Sequence, residues 1–252
     1  MIMAPLTRCR ASEGRVPNAI APEGHVSLVR PEKSFDTPRA LDLTEIPAIV
    51  EAFRKGAENA KKAGFDGVEV HGANGYLLDQ FLQDSTNQRT DEYGGPIENR
   101  ARLMIETVDA AISVWGPDRV GLHLAPRCDA HDMGDSDPEA TFGYVAREMG
   151  RRNIAFLFGR EGKGEPYLGP KLKEAFGGPF IANQQLNFED GKKMIEAGEA
   201  DAISWGQLFI ANPDLPAPLE QGAELNAPQP ETFYGDGPKG YTDYPFLASA
   251  PA

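Results

Sequence analysis

Phe65-Asp66-Gly67-Val68-Glu69-Val70-His71-Gly72-Ala73-Asn74-Gly75-Tyr76 reads as a buried strand that runs into a tight polar turn. Side chains on a strand alternate between faces, so Val68 and Val70 share one side and Glu69 and His71 the other. Immediately before this stretch, Glu45 to Ala63 carries the apolar periodicity of a helix and stops at Gly64, a residue suited to a left-handed helix end. The same pairing recurs outward along the chain. Val120 to Leu124, Ile154 to Phe158, Pro179 to Ala182 and Ala200 to Trp205 are short apolar runs expected as strands. Ile97 to Trp115, Pro138 to Arg151, Gly169 to Phe176 and Phe188 to Ala197 are expected as helices.

Such alternation defines an α/β protein with a parallel sheet, either an open doubly wound sheet or a (β/α)8 TIM-type barrel. No G-x-G-x-x-G follows any expected strand, which removes the dinucleotide fingerprint of the open sheet. The barrel is therefore favoured, and barrel active sites lie at the C-terminal ends of the strands. Pro22 to Leu43 and the tail from Leu215 to Ala252 are rich in Pro, Gly and polar residues, and read as ordered loop and wrapped tail of one domain spanning residues 1–252.

The 252 residues, 40% of them hydrophobic, suffice for a full core, and the net charge of −13 argues against nucleic acid, whose phosphates require clustered Lys and Arg. Cys9 and Cys128 form neither a disulfide framework nor a metal-ligand cluster, so a reducing, cytoplasmic setting and no metal are expected. No apolar run approaches the roughly 20 residues needed to span a bilayer. No membrane association and no secretory leader are expected.

The strand-end rule directs attention to His71, aimed at the barrel mouth, and to Asn74 three residues on. Two neutral donors on one carbonyl oxygen would stabilise the negative charge that develops when a nucleophile adds to a conjugated system. Tyr76 adds a phenol, a proton donor rather than a base at neutral pH. The trio suits addition of hydride to one carbon and a proton to its neighbour, but the same residues also fit a hydrogen-bonded core histidine and a wedged aromatic. His123, alternating with apolar residues in Val120 to Leu124, faces inward as either a core histidine or a ligand contact. Ala182-Asn183 and Gly206-Gln207 follow the last two strands, where barrels commonly bind phosphate on backbone N–H groups.

The run HGANGYLLDQFLQDSTNQRTDEYGGPIENRARL, His71 to Leu103, resembles the signature segment of the Old Yellow Enzyme family. MAPLTR, Met3 to Arg8, resembles that family's first barrel strand, and FIANPDL, Phe209 to Leu215, and GYTDYP, Gly240 to Pro245, resemble its C-terminal region. The resemblance is to the subgroup of bacterial ene-reductases and plant 12-oxophytodienoate reductases. It implies FMN as cofactor, NADPH or NADH as reductant and a small-molecule activated alkene as substrate. By the same resemblance His71 and Asn74 hold the substrate oxygen, Tyr76 donates the proton, and Pro5, Leu6 and Thr7 line the flavin ring. His123 stands where many members carry an arginine against the flavin; Ala182, Asn183, Gly206 and Gln207 match the phosphate loops, and Tyr241 the substrate rim.

The chain departs from the family at several places. His123 lacks a guanidinium's permanent charge, Gln207 replaces a common basic residue, and Gln184-Gln185 replaces a glycine-containing turn. Around residues 18–20, RVPN (Arg15 to Asn18) meets AIAPEGH (Ala19 to His25) directly, so that two βα units are missing. About six of eight βα units are then expected, with a seam where the deleted strands belong, and reduced FMN affinity. A truncated relative that does not retain FMN is the alternative. A phosphate-binding aldolase or isomerase barrel is disfavoured because no Schiff-base lysine or carboxylate pair follows a strand.

Overall fold

Short apolar runs bounded by turn residues become the strands of one parallel sheet, and the amphipathic stretches between them become its covering helices. The computed structural model describes residues 2–3, 25–26, 33–34, 39–127, 133–162, 164, 166–234 and 237–247. Pro5, Leu6, Thr7, both cysteines and the junction near residues 18–20 lie outside the described residues.

The strands are β1 (Ile2–Met3), the two-residue pair β2 (His25–Val26) and β3 (Lys33–Ser34), β4 (Val68–His71), β5 (Val120–Leu124), β6 (Phe156–Arg160), β7 (Phe180–Asn183) and β8 (Ala202–Trp205). The helices are α1 (Ile46–Lys62), α2 (Leu77–Leu82), α3 (Ile97–Arg100), α4 (Arg102–Trp115), α5 (Pro138–Arg152), α6 (Gly169–Phe176), α7 (Phe188–Glu196), α8 (Gln207–Ala211) and α9 (Pro216–Gln221). Six strands form a sheet in the order β1-β8-β7-β6-β5-β4, and β2 and β3 pair separately and antiparallel. The wrap from β8 back to β1, with Ile2 opposite Ser204 and Met3 opposite Trp205, is the closure of a barrel on that side. Among the described residues β1 and β4 do not pair with each other, so the expected six-strand arc and its seam are both present.

Alternation along the strands builds two apolar layers. Val70, Leu122, Leu124, Leu157, Phe180, Ala182, Ile203 and Trp205 belong to the large core shared with the helices. Phe158 and Ile181 pack with Phe156 and Ala202 in a separate, inner cluster. Truncating a fully buried outer residue such as Leu122 or Leu157 to alanine would cost about 2–5 kcal/mol.

Several boundaries differ from the sequence expectation, each for a local reason. The strand expected from Phe65 begins at Val68, because Phe65 is 66% exposed and its N–H is spent on Ala60 O at the end of α1. The strand expected at Ile154 to Phe158 is displaced to Phe156–Arg160, because Asn153 closes α5 in the left-handed region and Ile154 packs into the outer core. The expected helix from Ile97 to Trp115 is interrupted at Ala101, and α2, α8 and α9 are additional. The tail is tied down by Asn226, whose Nδ2 donates to Ala211 O and Pro245 O, and by Tyr244, whose hydroxyl accepts from Gln229 N.

Candidate active site

β4 ends on His71, and the chain turns at once because Gly72 donates to His123 O at 3.0 Å. A Cβ at Gly72 would lie 2.8 Å from Met104 Cε and 3.1 Å from His123 O, so a larger residue would displace the Met104 methyl and crowd β5. Asn74 then adopts φ 58, a left-handed conformation that asparagine tolerates better than most residues. The next residue, Gly75, donates to Asp79 Oδ2 at 2.9 Å, and Tyr76 caps α2. The turn is thus fixed by one glycine pressed against β5 and one buried carboxylate in the helix it feeds.

This geometry gathers the sequence-predicted side chains at one strand end. The His71 and Tyr76 rings are 5.3 Å apart and edge-on, and His71 and His123 are 4.9 Å apart. His123 rests on Phe158 of the inner cluster at 4.2 Å. Burial, and secondarily the neighbouring His123, push the His71 pKa down to about 4, so His71 is neutral at physiological pH and retains one N–H.

His123 is 2% exposed, and neither ring nitrogen has a hydrogen-bond partner among the described residues. Its Nδ1 lies 3.5 Å from Glu69 Oε1, longer than an ordinary hydrogen bond. A buried, unsatisfied imidazole on the inner face calls for a polar group to meet it.

Asn183 and Ser204 face each other across β7 and β8, with Asn183 Nδ2 donating to Ser204 O at 2.8 Å and to its Oγ at 3.0 Å. Ala182 is fully buried between β6 and β8, with its side chain in the core shared with the helices. After β7, Gln184 and Gln185 both adopt positive φ, at 95 and 53. These are the positions where a glycine turn was expected, and the backbone keeps the glycine conformation without the glycine. Gly206 caps the five-residue α8, whose first residue is Gln207. Tyr241 stands 49% exposed on the tail.

Two residues with no role in the sequence reading join this region. Arg160, the last residue of β6, donates from Nη1 to Asn74 Oδ1 at 2.8 Å and from Nε to Gln184 Oε1 at 3.1 Å. The alternation Phe156, Phe158, Arg160 would have put it on the inner face had the strand been drawn two residues later. Asp79 is fully buried, and its signal was a lone carboxylate in an apolar helix following glycine.

A parallel arc with its polar groups at the carboxyl ends of β4 to β8 defines a chain of the α/β-barrel class. Residues 10–226 match the NADH:flavin oxidoreductase / NADH oxidase family, and the chain belongs to it. It is 45% identical over 247 residues to a putative 12-oxophytodienoate reductase 5 of Oryza sativa subsp. japonica, covering 92% of this chain and 66% of that one. It is 44% identical to a probable flavin mononucleotide-dependent alkene reductase of Leishmania infantum, with the same coverage of each. Among solved structures it superposes on an old yellow enzyme homologue from Zymomonas mobilis with TM-score 0.86 at 43% identity, covering 90% of this chain and 66% of the other. It also superposes on morphinone reductase in complex with tetrahydroNAD, with TM-score 0.84 at 44% identity and coverage of 92% and 66%. The chain therefore spans just under two thirds of the length of these relatives, in accord with the internal gap after the first strand. FMN is the family's cofactor, and the inward, unsatisfied His123 fits a polar flavin edge.

Proposed function

We propose that this protein is an FMN-dependent ene-reductase that reduces the C=C bond of α,β-unsaturated carbonyl or nitro compounds at the expense of NADH or NADPH. The observation that carries the reading is the clustering of neutral His71, Asn74 and Tyr76 on one turn at a barrel strand end, beside an unsatisfied inward imidazole. FMN, when bound, would supply two-electron hydride chemistry between the nicotinamide and the alkene.

The chain's own residues do the rest. His71 and Asn74 hold the substrate oxygen and stabilise the charge that collects there as hydride arrives at the distal carbon. Tyr76 places its hydroxyl proton on the carbon next to the carbonyl or nitro group, and solvent restores it. His123 would donate to the flavin ring, and by the family resemblance Pro5, Leu6 and Thr7 would line it. Ala182, Asn183, Gly206 and Gln207 would hold the phosphate end of the cofactor, and Tyr241 would border the substrate. The low pKa of His71 suits this role, because a neutral imidazole donates a hydrogen bond without transferring its proton to the substrate.

A second reading is favoured by the ends of the six-strand arc, which are unpaired among the described residues: an inherited fold that no longer retains FMN. Titration with FMN separates the two. The ene-reductase reading expects quenching of flavin fluorescence with saturation at one equivalent, and a linear, unsaturating titration would reject it.

A further inference from the structure

Arg160 is the final residue of β6 and lies on the same face as Phe158, the floor beneath His123. Its guanidinium spans the mouth between two loops, taking the Asn74 amide oxygen at 2.8 Å and the Gln184 amide oxygen at 3.1 Å. A guanidinium has only donors, so it binds an amide by the oxygen alone. Asn74 is thereby held in one of its two flip states, with Oδ1 turned to Arg160 and Nδ2 turned away. In the opposite state Asn74 would present a carbonyl oxygen to the substrate oxygen, and the two would repel. A cation on Oδ1 also draws electron density from the amide and makes the Nδ2 hydrogens stronger donors.

We propose that Arg160 is a positioning residue that sets the flip state of Asn74, so that its amide donates to the substrate oxygen. The proposal rests on the reading that Asn74 holds that oxygen. It also assigns a function to the backbone at Gln184, whose φ of 95 places its side-chain oxygen on the second arm of the same guanidinium.

Two measurements test it, one of them independent of flavin. In the flavin-free chain labelled with 15N, the Asn74 side-chain amide, assigned by its loss in Asn74→Ala, is expected as one sharp pair of proton resonances, because Arg160 holds a single rotation about Cβ–Cγ. Arg160→Met should shift and broaden the pair as the amide samples both flip states, and Arg160→Lys should partly restore its position and sharpness. In the flavin-loaded chain, Arg160→Met should lower kcat/KM for an enone on the order of 10- to 100-fold. The rate of flavin reduction by NADPH should not change, and Arg160→Met should cost nothing further in an Asn74→Ala background. Unchanged Asn74 resonances in Arg160→Met, or equal losses in the presence and absence of Asn74, would overturn the proposal. Failure to load flavin would remove the enzymatic reading alone, since the resonance measurement stands without it.

Discussion

Tyr76 is the residue on which the proposed chemistry turns most sharply. Tyr76→Phe keeps the ring that packs edge-on against His71 and removes only the hydroxyl. Reduction of an enone should fall by about 100- to 10,000-fold while flavin reduction by NADPH is unchanged, as stopped-flow absorbance on each half-reaction would register. Equal alkene reduction by both proteins would remove Tyr76 as the proton donor. The histidine makes a separate prediction. With a folded-state pKa of about 4, His71 stays neutral well below pH 6, and affinity for a carbonyl ligand should be flat from pH 5 to pH 8. An inflection near the ordinary imidazole value of 6.5 that disappears in His71→Asn would contradict it. These residues were legible in the sequence because a strand end followed by small residues projects them to one place. Arg160 was not, because its inward direction depends on a strand register set by the left-handed Asn153, two residues beyond where hydrophobicity alone starts the strand.

At the scale of the element, the turn between β4 and α2 depends on a carboxylate that resists ionisation. Burial raises the Asp79 pKa from 3.8 to about 7, against the opposing hydrogen bonds from Gln83 and Gly75, and Asp135 raises it further. Between these two values the folded chain holds a proton that the unfolded chain has released, so this group's contribution to stability falls as pH rises from about 4 to about 7. Asp79→Asn should flatten that part of the urea-denaturation profile relative to the parent, and identical pH slopes for the two proteins would refute the assignment. The turn after β7 stores strain of a different kind. Gln185 sits at φ 53, where a Cβ is disfavoured, so Gln185→Gly should stabilise by about 1 kcal/mol and Gln185→Ala should not. Helix and strand identities were readable from periodicity. The short α2 was not, since Leu77 to Leu82 offers no amphipathic face and is apolar on nearly every side.

At the scale of the molecule, six of the strands expected of a family barrel are present, wrapped from β4 through β8 to β1, with the ends of the arc unpaired among the described residues. The sequence signalled this through a junction rather than a composition: two segments that the family keeps far apart are adjacent in this chain. Whether FMN is held follows from energetics spread over the whole mouth, to which the buried His123 imidazole, the uncharged Gln207 and the positive-φ turn at Gln184 and Gln185 contribute together, and no local motif encodes that sum. No helix among the described residues is long and apolar enough to cross a membrane. The most direct test of the account is the visible spectrum of the chain saturated with FMN under anaerobic conditions, followed through addition of NADPH and then of an enone or a maleimide. The account predicts a bound flavin band that bleaches with NADPH and returns with the alkene. A chain that stays colourless after removal of free FMN, or a reduced flavin that the alkene leaves bleached, would contradict it.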